Sequence, residues 1–130
     1  MSNKKQTLTD LGLLALRIAA GGLMIVHGIG KLDATPSEFP DPLGVGAALS
    51  HALAVFAEVG CAAALVVGAF TRFALVPLIV TMLVAALVVH GADPWNKKEL
   101  AVIYLSLYAG LMLTGPGRFS VDAWLSRRRI

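Results

Sequence analysis

Four apolar runs, each close to the length a helix needs to cross a lipid bilayer, divide this chain: roughly residues 11–29, 49–70, 73–90 and 99–114. A spanning helix takes about 17–25 mostly apolar residues. The fourth run reaches that length only by recruiting Lys98 and Glu99 at one interface. Hydrocarbon offers no partner to a backbone amide, so chains of this kind cross lipid as helices or as closed barrels. Composition agrees, with 57% hydrophobic and 15% charged residues over 130 positions. Soluble domains carry roughly 25% charged residues, and a chain this short has too little interior to hide the excess. The expected fold is all-α, a four-transmembrane-helix bundle forming a single domain over residues 1–130.

The net charge of +3 comes from residues at the ends of the apolar runs. No basic patch interleaved with aromatics exists, which excludes the usual footprint of nucleic-acid binding. Cys61 is the single cysteine, so neither an internal disulfide nor a CxxC redox or zinc motif can form. Lys4 and Lys5 resemble the basic start of a signal peptide. Arg17 interrupts the following run, however, and no small-x-small cleavage site ends it, so the first helix is expected to be retained.

The connections differ in kind. Residues 31–48, KLDATPSEFPDPLGVGAA, are rich in proline and glycine and read as a loop. Thr71 and Arg72 are expected to make a tight turn between the second and third helices. GADPWNKKE links the third to the fourth, with Trp95 suited to an interface. Alternation of the crossings puts Lys4, Lys5, Arg72, Arg118, Arg127, Arg128 and Arg129 on one side and Lys31, Lys97 and Lys98 on the other. That bias places both termini in the cytoplasm. A short helix over roughly residues 120–128, with Trp124 and a basic tail, suits the cytoplasmic surface.

Glu58 is the one formally charged residue between His51 and Arg72. A charge at mid-bilayer costs about 2.5–3.5 kcal/mol on insertion scales, so it should face inward with a partner. Arg17 is the first candidate. Counted from the cytoplasmic ends of their runs, Arg17 lies about 10 Å deep and Glu58 about 18 Å deep at 1.5 Å per residue, a gap an arginine can bridge. An Arg17–Glu58 pair in the bundle interior is therefore expected, serving either function or helix register. A second polar layer gathers near the outer surface: His27, Lys31, His51, His90 and Glu99. These residues are candidates to line a pocket for an organic ligand, because histidine can hydrogen-bond a quinone carbonyl or relay protons. No HxxxH or HxxE spacing puts two ligands on one helical turn, so no metal site is expected and haem is disfavoured.

Several segments are similar to those of the DoxX family of small bacterial membrane proteins. The first helix carries LRIAAGGLMIVHGIGKL with its arginine and terminal G-x-x-K. The second carries E-V-G and then L-V-V-G-A-F-T-R. The last carries KELAVIYLSLYAGLMLTGPGRFSVD, ending in G-P-G-x-x-S-x-D. The resemblance runs from Leu14 to Leu125 and implies a four-helix membrane bundle. Its pattern positions here are Arg17, Gly28, Lys31, Glu58, Thr71, Arg72, Gly115, Pro116, Gly117 and Asp122. It also implies a link to membrane redox systems. The related DoxD subunit is associated with thiosulfate:quinone oxidoreductase, and some members with complexes that handle oxidative and thiol stress.

The functional expectation is an inner-membrane accessory or anchoring subunit of a quinone- or thiol-linked redox system. Quinone is the possible cofactor. The lipid bilayer, membrane or soluble redox proteins and a second copy of the chain are the possible partners. The alternatives are a small oligomeric transporter and a non-catalytic scaffold. No complete catalytic motif is present, and no catalytic residue is assigned.

Overall fold

Apolar side chains pointing every way around a helix leave the backbone to satisfy itself, and the described residues accordingly hold helices and no strand. The computed structural model describes residues 3–33, 35–38 and 40–128. Helix α1 runs Asn3–Leu32, α2 Ala47–Val67 and α3 Thr71–Val89, α4 Trp95–Thr114, and the short α5 Val121–Arg128. A single 3-10 turn, Pro36–Glu38, interrupts the proline-rich loop. Helices α1, α2 and α3 are long and apolar enough to cross a membrane. Helix α4 has 20 residues, about 30 Å at 1.5 Å per residue, but its polar first turn leaves a shorter apolar stretch.

Helix α1 packs along α2, α2 against α3, α3 along α4, and α4 returns to α1. The bundle core is Ala20, Met24, Ala62, Leu65, Leu75, Leu78, Tyr108 and Leu111, each almost wholly buried. Tyr108 donates its hydroxyl to Ala20 O at 3.1 Å, which satisfies the buried phenol. The outer surface inverts the pattern of a soluble protein. Phe73 is 80% exposed and Leu113 83%, while Arg17 and Glu58 are each 0% exposed. Ionisable groups inside and large apolar groups outside are the arrangement lipid imposes.

The turn between α2 and α3 falls on Gly68–Phe70 and not on Thr71–Arg72. Gly68 adopts φ 74° and Phe70 φ 49°, and Thr71 is already the first residue of α3. Glycine tolerates the left-handed conformation that ends a helix. Phe70 is the one non-glycine residue with positive φ among the described residues. Pro77 sits inside α3, where it removes one backbone hydrogen bond. Thr81 Oγ1 donates to the Pro77 carbonyl at 2.7 Å.

Candidate functional site

The two polar clusters of the bundle lie at its opposite ends, and each is built from helix termini and close helix approaches. At the end holding the α2–α3 turn, Arg17 is fully buried. It donates through Nη1 to Val66 O at 3.0 Å and Leu65 O at 3.3 Å, and through Nη2 to Phe119 O. The first two are carbonyls in the last turn of α2, beyond reach of its own amides; the Leu65 carbonyl also accepts from the capping Gly68 amide at 3.1 Å. Arg72 does the same for α4, donating from Nε to Met112 O at 3.0 Å. Asp122 serves the opposite need. Its carboxylate accepts from the amides of Phe70 at 2.7 Å and Thr71 at 2.8 Å, at the start of α3. Burial alone would raise the Asp122 carboxyl; the Thr71 and Phe70 amides and the Arg17 guanidinium outweigh it and hold the group below the ordinary carboxylate range.

Asp10, 4% exposed, accepts from the Arg118 amide at 3.2 Å. This ties the segment after α4 to α1. The arginine, T-R and G-P-G-x-x-S-x-D elements thus meet at one place and act as mutual helix caps. Asp10 and Arg118 also border an open cavity of about 580 Å³, together with Gln6, Thr9 and Ser126.

The other cluster centres on Glu58. It lies in a π-helical turn, Phe56–Cys61, that buries Ala57, Glu58 and Cys61 together. Extra-wide turns of this kind recur at functional positions in helices. Gly28 makes the seat: a Cβ there would lie 2.8 Å from Glu58 Cβ and 2.9 Å from Val59 Cγ2. One turn further along α1, Lys31 folds over the carboxylate, with Nζ 2.6 Å from Oε1 and close to Oε2 as well. His27 Nε2 stands 3.5 Å from Oε1. His51 Nε2 donates to the Lys31 carbonyl at 2.7 Å and so fixes the end of α1 against α2.

The expected Arg17–Glu58 pair is therefore corrected. Each residue is buried, but Arg17 serves the carbonyls at one end of the bundle and Glu58 pairs with Lys31 and His27 near the other. The physical reason is helix register. Gly28 lies against Glu58, eleven residues and about 16 Å along α1 from Arg17. Depth counted from the run ends misleads because those ends are not level: Arg17, six residues into its run, already stands beside Leu65 and Val66 in the last turn of α2.

A cavity of about 390 Å³ opens beside this cluster. Of the residues expected to line it, His27, Lys31 and His90 do so, and Glu58 joins them. His51 stands behind Lys31, bonded to its carbonyl. Glu99 is exposed at the start of α4 and outside the lining. Tyr104 and Lys97 were not anticipated and both line it; Tyr104 lies two helical turns after Lys97, a spacing visible in the sequence. His90 Nδ1 donates to Asp93 Oδ2 at 2.9 Å, and this bond holds Asp93 below the ordinary carboxylate range. The walls are aliphatic: Leu53, Val80, Val84 and Leu100. A second π-helical turn, Ala85–Val89, borders the same space. Among the described residues, no group of three His, Cys, Asp or Glu side chains could hold a metal ion.

Comparison with known proteins places the chain among membrane proteins. An uncharacterized membrane protein of Mycobacterium tuberculosis is 28% identical over 139 aligned residues, covering 89% of this chain and 82% of that protein. No solved structure matches the chain. A model of the DoxX family matches residues 12–91, a stretch holding the buried Arg17, the Gly28 seat, the Lys31–Glu58 pair and the α2–α3 turn. The chain is a membrane protein and belongs to the DoxX family.

Proposed function

We propose that this protein is an accessory subunit of a membrane redox system and binds an isoprenoid-quinone type of ligand in the cavity at Lys31 and Glu58. The observation that carries the reading is the cavity itself: about 390 Å³, aliphatic along its walls and polar at one end. Small-molecule sites have this character, an apolar lining with a few placed polar groups. Lys31, His27 and Tyr104 can donate to carbonyl oxygens, and the aliphatic walls suit a hydrocarbon tail. The accessory role is favoured because the one cysteine, Cys61, has no second thiol to form a dithiol pair with. Electrons would then reach the ligand from another protein.

In this reading α4 is a fourth crossing, the host membrane is a bacterial inner membrane, and both termini lie in the cytoplasm. The charge bias across the loops supports that orientation. The cavity then lies toward the outer face.

The test is mass spectrometry of gently purified protein, covering both extracted small molecules and co-purifying proteins. Ala54 lines the cavity, and Ala54→Trp fills it. Quinone enriched over bulk lipid in the native protein, and lost in a folded Ala54→Trp variant, is the expected result. Quinone at the bulk-lipid level in both overturns the reading. Substrate-dependent flux in vesicles would point instead to a small transporter.

A further inference from the structure

The polar end of the cavity has a charge balance that constrains what can lie against it. Lys31 Nζ and the Glu58 carboxylate are in direct contact, and Glu58 is wholly buried. Their sum is zero whether the shared proton sits on nitrogen or oxygen. We infer that the cavity selects an uncharged head group, an amphiphile ending in a carbonyl-class hydrogen-bond acceptor, over anionic and cationic amphiphiles of the same length. This rests on the reading that the cavity takes a quinone-type ligand, and it adds that the Lys31–Glu58 pair turns away charged head groups.

All four long helices bring polar groups to the cavity, and the proline-rich loop lines it with Pro40, Pro42, Leu43 and Val45. Helix α1 supplies His27 and Lys31, and α2 supplies Glu58. Helix α3 supplies Thr81 and, at its end, His90, whose ring is committed to Asp93. Helix α4 supplies Tyr104 and Lys97; the latter is exposed at the mouth, where solvent and salt screen it. An anionic head near Lys31 would also sit beside the Glu58 carboxylate. A cationic head drawn to Glu58 would sit beside the Lys31 ammonium. Either places like charges together in a poorly solvated space. A neutral acceptor meets neither. An ammonium has three N–H donors; the two Glu58 carboxylate oxygens accept from two of them, and the third can serve the ligand.

The experiment uses the full chain in phosphatidylcholine nanodiscs, at about pH 8, above the ordinary histidine range. The probes are a long-chain methyl ketone, an alkanesulfonate and an alkyltrimethylammonium of equal chain length, with empty discs as the partition reference. The native protein should bind the ketone at least about tenfold more tightly than either ion, a difference well outside assay error. Glu58→Gln leaves an uncompensated ammonium and should shift preference to the sulfonate. Lys31→Gln leaves an uncompensated carboxylate and should shift it to the trimethylammonium. Lys31→Gln with Glu58→Gln should return preference to the ketone.

Sulfonate or ammonium bound by the native protein as tightly as ketone overturns the inference, and so does an order of preference unchanged in the single variants. Three probes bound alike keep the cavity as a ligand site and remove the selection. No probe bound above empty discs removes both. If a single variant fails to fold, the three-probe comparison on the native protein still decides.

Discussion

Lys31 closes over Glu58 from the helical turn that follows Gly28, so one stretch of α1 provides both the seat for the carboxylate and its counter-charge. The G-x-x-K spacing and the distant glutamate are thus parts of one device. Gly28 lets α2 approach, and three residues later Lys31 reaches back across the contact.

The pair should show coupling in a double-mutant cycle. Glu58→Gln alone strands the Lys31 ammonium and should cost about 1–3 kcal/mol, the range for a hydrogen bond to a charged group. Adding Lys31→Met should recover part of that loss. Glu58→Gln combined with Arg17→Leu should instead give the sum of the two single losses, since separated sites add. Thermal melts in detergent measure all of these. Coupling to Arg17 in place of Lys31 would contradict the pairing.

Gly28→Ala and Gly22→Ala make a matched contrast on one helix. A Cβ at Gly28 meets Glu58 and Val59, whereas at Gly22 it finds nothing within 4 Å. Gly28→Ala should cost about 1–3 kcal/mol, as overpacking commonly does, and should reduce ligand retention in the cavity. Gly22→Ala should leave the melt unchanged or raise it slightly, because alanine favours helix. Equal losses would mean that α1 and α2 do not approach at Gly28.

Arg17→Lys should not behave as a conservative change. The guanidinium fork reaches three carbonyls on two segments, Leu65, Val66 and Phe119, and a lysine cannot reproduce that geometry. The segment after α4 should loosen, and limited trypsin digestion should cut faster at Arg118, which is exposed. Digestion rates matching those of the native protein would deny Arg17 this role.

Asp122 should make the bundle acid-sensitive at its capped end. The folded carboxyl lies below its ordinary range of about 3.9, because the Thr71 and Phe70 amides and Arg17 outweigh the effect of burial. Its stabilisation is therefore fully present above the unfolded value and is lost as pH falls through the folded one. Melts taken between about pH 6 and pH 3 should drop more steeply for the native protein than for Asp122→Asn, whose amide does not titrate. Parallel curves would show that the carboxylate contributes nothing over this range.

Much of the chain was legible because its physics is local. A helical run advertises itself by length and apolarity. The glycine-proline-glycine stop after Thr114 shows as plainly, and Gly115 and Gly117 do adopt positive φ. Partner choice was not local. Arg17, Lys31, His27 and Glu58 are all visible as candidates, yet depth along the runs points the carboxylate to the wrong cation. Asp10 precedes the apolar run and nothing local marks it as buried, although α1 begins seven residues before it and buries it.

By itself the sequence determined that the chain is helical, that it belongs in lipid, and that its few interior charges have to find one another, since these follow from the cost of bare polar groups in hydrocarbon. Only the tertiary structure decided who meets whom. A slide of one helix along another by about four turns leaves composition and periodicity untouched while exchanging Arg17 for Lys31 opposite Glu58. The contact that settles the slide is the missing side chain of Gly28 against the π-helical turn of α2.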